Sequence, residues 1–167
     1  ARAHFIEPTM LDATLSVNRR QITRAVRLIE ECVGDLCDQP IGVVGLAFKG
    51  GTDDVRESPA IVLVEAVLTR GATVCVHDAF AEKRARALLR NRVHYAPSAY
   101  EACLGAKALV VASDERAYAQ LDWKRVAQLL GAPNVIDLRN RLDGAAVRSV
   151  GLNFISVGRA RTTVSAS

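Results

Sequence analysis

Between Gly45 and Pro59 the chain reads GLAFKGGTDDVRESP, and this stretch decides the fold. Residues 41–47 form a short apolar run with β-branched side chains, which is typical of a strand buried on both faces. Ser58 is predicted to be a helix N-cap, with Pro59 at the first helical position. The stretch should therefore join a buried strand to a helix, at the ligand-facing edge of an open α/β sheet.

The charges in this stretch point to an anionic ligand. Lys49 and Arg56 lie close in sequence, and free backbone N–H groups at a helix start attract phosphate. The glycines fit no G-x-G-x-x-G turn, and Gly51 stands where a G-x-x-x-x-G-K-[ST] loop needs lysine. Asp78 ends the next strand, but it lies farther from Gly45 than the roughly 20 residues expected of a ribose-binding acid. From the residues alone, a solvated connection is an equally good interpretation.

Strands and helices alternate from residue 40 onward, which predicts a mostly parallel sheet with helices on both faces. Strands are expected at 41–47, 73–77, 107–112, 133–137 and 153–157, with a short one at 93–95. Helices are expected at 59–70, 80–91, 98–104, 122–130 and 143–150. The predicted fold class is α/β, an open Rossmann-like sheet preceded by one long helix.

The long helix is predicted from an apolar stripe near the amino end. Its members recur at helical spacing, at positions 11, 15, 22, 26, 29 and 33, over about seven turns. Asn18 falls on this stripe, so we expect either a specific partner for it or a half-exposed place at the helix edge.

Composition limits the classes of function that this chain can have. The chain has 167 residues, 50% of them hydrophobic, enough for one substantial core. Its net charge is +4, but the basic residues are spread out and aromatics are few, so no nucleic-acid partner is expected. No apolar run approaches the roughly 20 residues of a membrane span, and the amino end lacks a signal-peptide pattern. We expect a cytoplasmic protein without a membrane partner.

The cysteines are Cys32, Cys37, Cys75 and Cys103. They lie in apolar contexts without C-x-x-C spacing, so buried free thiols are expected ahead of disulfides or metal ligands. No metal site is predicted.

The quoted stretch also resembles a family signature. The pattern F-K-x-x-T-D-D-x-R-E-S-P after G-L-A is similar to the C-terminal, UDP-binding domain of the nucleotide-sugar 6-dehydrogenases, the UDP-glucose/GDP-mannose dehydrogenase family. Three later segments agree in order: PSAYEACLGA at 97–106, LDW at 121–123 and VIDLRN at 135–140. The resemblance covers about residues 10–157, and its LDW and RN elements favour the UDP-glucose branch.

The resemblance implies roles for individual residues. It assigns Phe48, Lys49 and Arg139 to the nucleotide sugar, with Arg141 as a nearby competitor of Arg139. It assigns Arg56 to the pyrophosphate of NAD, for which a guanidinium fork is suited.

Both cations of the quoted stretch also have a simpler interpretation. Lys49 could be a solvated loop lysine, and Arg56 could form an ion pair with Asp53, Asp54 or Glu57.

The resemblance further implies a two-step, NAD-dependent oxidation of the sugar of UDP-glucose to UDP-glucuronate, through a thiohemiacetal on a cysteine. The family's cysteine lies in a GGSCFPKD-like segment, which this sequence lacks together with the cofactor turn. We therefore expect a substrate-binding C-terminal part of such an enzyme, inactive alone, with no catalytic residue and with a catalytic half upstream.

By the same resemblance, 1–37 is the end of a central helix that forms a homodimer, and 38–161 binds the UDP-sugar. From the sequence itself, 162–167 is expected to be a frayed tail. The alternatives are a stand-alone nucleotide-binding or dimerisation module without catalysis, or a GDP-mannose or UDP-N-acetyl-sugar dehydrogenase.

Overall fold

A computed structural model describes the backbone of residues 9–158, and side chains from residue 17 onward except at residue 19. The predicted tail at 162–167 and the apolar side chains at 11 and 15 lie outside this part. The helices are α1 (Thr9–Val33), α2 (Pro59–Leu68), α3 (Glu82–Leu89), α4 (Ala99–Ala102), α5 (Arg116–Ala119), α6 (Trp123–Leu129) and α7 (Gly144–Arg148). The strands are β1 (Pro40–Val44), β2 (Thr73–His77), β3 (His94–Tyr95), β4 (Ala108–Val111), β5 (Asn134–Asp137) and β6 (Asn153–Ser156).

The strands form one six-stranded sheet in the order β3-β2-β1-β4-β5-β6. Every neighbouring pair is parallel, which confirms the predicted fold class. The chain starts at the centre with β1, winds outward through β2 and β3, and returns to the other side of β1 with β4. Such an order creates a switch point between β1 and β4, and ligands of open α/β sheets bind at the carboxyl ends of the strands beside it.

The central strands are buried on both faces, as their continuous apolar runs predict. In β4, Ala108 and Val110 contact the core under α1, α2 and α3. Leu109 and Val111 point the other way, into the core under α4, α6 and α7. Burying each valine or leucine contributes about 1.5–3 kcal/mol, so this alternation fixes the strand between the two helical layers.

The first predicted strand was too long, because the chain leaves the sheet after Val44. Gly45 has a φ of +87°, and a Cβ built on it would lie 2.1 Å from Ser113 Oγ. Only glycine tolerates both this backbone conformation and this approach. The extra helix α5 was not predicted, because a single turn carries no periodic pattern.

The carboxyl-terminal half of α1 belongs to the core. Ala25, Val26 and Ile29 are buried beside residues of α2 and the sheet, which confirms that half of the predicted stripe. Val17 and Asn18 are exposed, so Asn18 is more open than expected. No helix within residues 9–158 has the length and apolar character needed to cross a bilayer.

All four cysteines are free thiols, but they are not all buried. Cys103 is buried and donates to the Ala99 carbonyl at 3.1 Å, and burial raises the pKa of its thiol to about 12. Cys32 and Cys75 are half-buried, and burial also raises the pKa of Cys75. The prediction was wrong for Cys37, which is exposed in the polar connection after α1.

Candidate functional site

Three connections meet at the carboxyl ends of the strands beside the switch point. The first loop (45–58) follows β1, the second loop (112–115) follows β4, and the third loop (138–143) follows β5. All the residues that the sequence assigned to ligands lie on the first and third loops.

The first loop is held by a buried carboxylate at the end of β2. Asp78 is 4% exposed. Its Oδ2 accepts from the backbone N–H groups of Leu46 at 2.7 Å and Ala47 at 3.0 Å. Its Oδ1 accepts from Phe80 at 2.9 Å and Ala81 at 2.8 Å. The carboxylate thus occupies the β1 turn, the position at which a dinucleotide phosphate would bind in a standard nucleotide fold.

The far end of the first loop is closed by the predicted N-cap. Ser58 is buried, its hydroxyl donates to the Leu46 carbonyl at 2.7 Å, and it accepts from Ala60 N–H at 3.2 Å. The anion site expected at the backbone of this helix start is therefore wrong in part, because the Ala60 N–H already has a protein acceptor.

The tip of the first loop presents Phe48 and Lys49. The Phe48 N–H donates to the Asp54 carbonyl at 2.7 Å, and the Thr52 hydroxyl donates to the Lys49 carbonyl at 2.7 Å. These bonds fold the tip back on itself and leave the Phe48 ring 55% exposed. Lys49 is also exposed, and its ammonium forms no ion pair with any residue in the described range.

Arg56 forms the ion pair that the residues alone had offered as an alternative. Its Nε and a terminal nitrogen donate to the two oxygens of Asp54 at 3.0 and 2.8 Å. These bonds hold the pKa of the Asp54 carboxyl well below its usual range. The Arg56 side chain is 83% exposed, and exposed pairs contribute little to stability. A phosphate group could therefore replace Asp54 on Arg56.

The third loop is held by a second buried carboxylate. Asp137 is fully buried, and it accepts from the backbone N–H groups of Arg139, Arg141 and Leu142, each at 2.8 Å. Arg141 approaches Asp114 at 3.9 Å. Arg139 is exposed and has no ion-pair partner among the side chains described from residue 17 to residue 158, which distinguishes it from its competitor.

The second loop touches the first loop directly. The Gly50 N–H donates to Asp114 Oδ1 at 2.7 Å, and a Cβ on Gly50 would lie 2.7 Å from the backbone nitrogen of Glu115. The structure thus brings the residue after Lys49 and an arginine of the third loop to the two carboxylate oxygens of one aspartate.

Sequence reasoning missed the supporting carboxylates Asp78, Asp114 and Asp137. A signal was present, since Asp78 and Asp137 stand at the ends of apolar strands. An aspartate at that position is either a ligand group or an internal acceptor, and the sequence does not distinguish the two.

Known proteins share this arrangement of strands and loops. The sequence profile of the UDP-glucose/GDP-mannose dehydrogenase family, UDP binding domain, matches residues 42–144. The chain belongs to this family. The resemblance inferred from the first loop is therefore confirmed.

Individual relatives agree with this assignment. The UDP-glucose 6-dehydrogenase of Rickettsia conorii is 32% identical over 93% of this chain, and that of Haloferax volcanii is 42% identical over 73%. A solved UDP-glucose dehydrogenase from Pyrobaculum islandicum superposes with a TM-score of 0.77 at 32% identity, over 95% of this chain. The chain spans 36%, 28% and 34% of these three proteins, respectively, or about a third of their length.

Proposed function

We propose that this chain binds the UDP part of a UDP-sugar within an NAD-dependent 6-dehydrogenase that converts UDP-glucose to UDP-glucuronate. One observation carries the proposal: Lys49 and Arg139 are exposed cations without an ion-pair partner in the described part, on two loops joined through Asp114. A diphosphate accepts charge-assisted hydrogen bonds from such side chains.

The neighbouring groups suit the rest of such a ligand. The exposed Phe48 ring next to Lys49 offers an apolar surface to the uridine or the sugar. Because Asp78 and Asp137 hold the two loops through backbone bonds, the side chains at 48, 49 and 139 need little reorganisation to bind. This pre-organisation favours binding, since it lowers the entropy lost on association.

NAD is expected to contact this chain at the first loop. The β1 turn is occupied by Asp78, so a dinucleotide cannot lie there in the usual way. Arg56 is exposed and held only by a surface ion pair, so we propose that it contacts the pyrophosphate of NAD bound mainly by another part of the enzyme. When bound, NAD supplies the hydride acceptor. The cytoplasmic location stays a prediction.

Titration of the chain with UDP tests the proposal. We expect saturable binding of UDP and at least about tenfold weaker binding of uridine, because uridine lacks the phosphates that Lys49 and Arg139 would bind. GDP is the matched competitor for the alternative branch of the family. Equal affinity for UDP and uridine would contradict a diphosphate site, and preference for GDP would transfer the proposal to the GDP-mannose branch.

We also propose a homodimer, confined to the amino-terminal half of α1. Val26 and Ile29 are buried in their own domain, so residues 22–33 cannot supply the whole interface that the stripe predicts. Val17 is 45% exposed on the other half, and we expect a symmetric dimer there.

Analytical sedimentation of the chain measures this association. The chain should be at tens of micromolar, on the order of the dissociation constant of a weak dimer. We expect a dimer that Val17→Asp converts to a monomer, since the substitution places a charge in an apolar contact. Val62→Asp is the control, because Val62 is 47% exposed on α2. A monomeric parent chain, or equal effects of both substitutions, would contradict the proposed interface.

A further inference from the structure

Asp114 contacts both of the loops that carry Lys49 and Arg139. Its Oδ1 accepts from Gly50 N–H at 2.7 Å, and its Oδ2 lies 3.9 Å from a terminal nitrogen of Arg141. One carboxylate thus contacts the residue after Lys49 and the arginine two places after Arg139.

A carboxylate is an unexpected group beside a diphosphate site, because two negative charges repel each other. Here its charge is balanced by protein groups. The Gly50 N–H bond is the largest cause of a lowered pKa of Asp114; desolvation opposes it, and the backbone N–H of Asp114 itself and the charges of Arg139 and Arg141 add smaller contributions. The Asp114 side chain is 28% exposed, so most of its surface is covered by protein.

The approach of the first loop to Asp114 depends on a glycine. A Cβ at position 50 would come within 2.9 Å of the Asp114 carbonyl carbon and within 2.7 Å of Glu115 N. The missing side chain lets the Gly50 backbone reach the carboxylate. Lys49, the preceding residue, is then fixed in its backbone position relative to the second loop.

We infer that Asp114 is a positioning residue for the diphosphate: through the Gly50 amide it holds Lys49 at the distance from Arg139 at which both cations bind one UDP. This role rests on the proposed function, because it concerns the same ligand. Asp114 itself does not contact the UDP.

A double-mutant cycle in the full chain tests the inference with UDP as the probe. Asp114→Ala should weaken UDP binding about tenfold, as expected for a hydrogen bond to a charged group. In a Lys49→Ala background the same substitution should weaken UDP binding less than about twofold, because the cation that Asp114 holds in place is already absent. Independent sites would instead give the same loss in both backgrounds, within about that factor. Asp122→Ala is the control, since Asp122 also accepts backbone N–H bonds but lies outside the three loops. Equal losses in both backgrounds, or no loss in either, would overturn the inference.

Amide hydrogen exchange of the ligand-free chain separates this inference from the proposed function. Asp114→Ala should accelerate exchange of the Gly50 amide at least about tenfold while the core amides of β4 stay protected, because only a local bond is lost. An unchanged Gly50 rate would overturn the positioning role even if UDP binds. Failure of the parent chain to bind UDP, with an accelerated Gly50 rate in Asp114→Ala, would overturn the proposed function and the diphosphate role that rests on it, while the Asp114–Gly50 contact would stand.

Discussion

Lys49→Ala and Arg139→Ala should each weaken UDP binding about tenfold to hundredfold, because hydrogen bonds to charged groups contribute roughly 1.5–3 kcal/mol. Both side chains are exposed and neither forms an ion pair with a side chain that the structure describes, so their removal breaks no described salt bridge. Stability should therefore change little while affinity falls. Calorimetric titration with UDP, beside urea unfolding of each variant, measures the two effects.

Lys107→Ala is the matched control for these variants. Lys107 is exposed and directly precedes β4, so it carries the same charge at the opposite edge of the sheet. Its removal should leave the affinity for UDP within about twofold, since distant exposed charges are screened at physiological salt. A loss as large as that of Lys49→Ala would mean that net charge, rather than the site, attracts UDP.

Arg56 extends the same experiment to the cofactor. In the full dehydrogenase that we propose, Arg56→Ala should weaken NAD binding and spare UDP-glucose, whereas Lys49→Ala and Arg139→Ala should do the reverse. Equal losses for both ligands in all three variants would indicate that the first loop acts as one unit, and the separate roles would be wrong.

The sequence predicted the fold because its signals are local. The apolar runs of β1, β4 and β5 and the cap at Ser58 each lie within a few residues, and alternation of strands with helices restricts the topology. The helix cap at Ser58 could be predicted because near neighbours in the sequence determine it. Lys49 could be selected as a candidate because it belongs to the family pattern.

The supporting contacts of the site could not be predicted, since they join distant parts of the chain. The Asp78 carboxylate accepts a hydrogen bond from the N–H of Leu46, which lies 32 positions away in the sequence. The Asp114 carboxylate accepts one from the N–H of Gly50, 64 positions away. A strand-end aspartate therefore gives the same pattern whether it binds a ligand or a backbone turn. The anion site was predicted at backbone groups for this reason, but the N–H groups of Leu46, Ala47 and Ala60 already have protein acceptors.

The buried carboxylate of Asp78 predicts the largest loss of stability. Asp78→Ala leaves four backbone donors without their acceptor, at Leu46, Ala47, Phe80 and Ala81. Each unsatisfied buried donor costs about 1–3 kcal/mol, and the exposed Phe80 can recover a bond to water. We expect the free energy of unfolding to fall by about 3–5 kcal/mol, near the upper end for single substitutions, as measured by urea unfolding.

Asp143→Ala isolates the effect of burial. Asp143 also accepts two backbone N–H bonds, from Ala145 at 2.8 Å and Ala146 at 3.2 Å, but it is an exposed helix cap whose donors can turn to water. Loss of such a cap costs about 1 kcal/mol. If Asp78→Ala destabilises the chain no more than Asp143→Ala does, water replaces the carboxylate at the β1 turn. The expected cost of removing this buried acceptor would then be wrong.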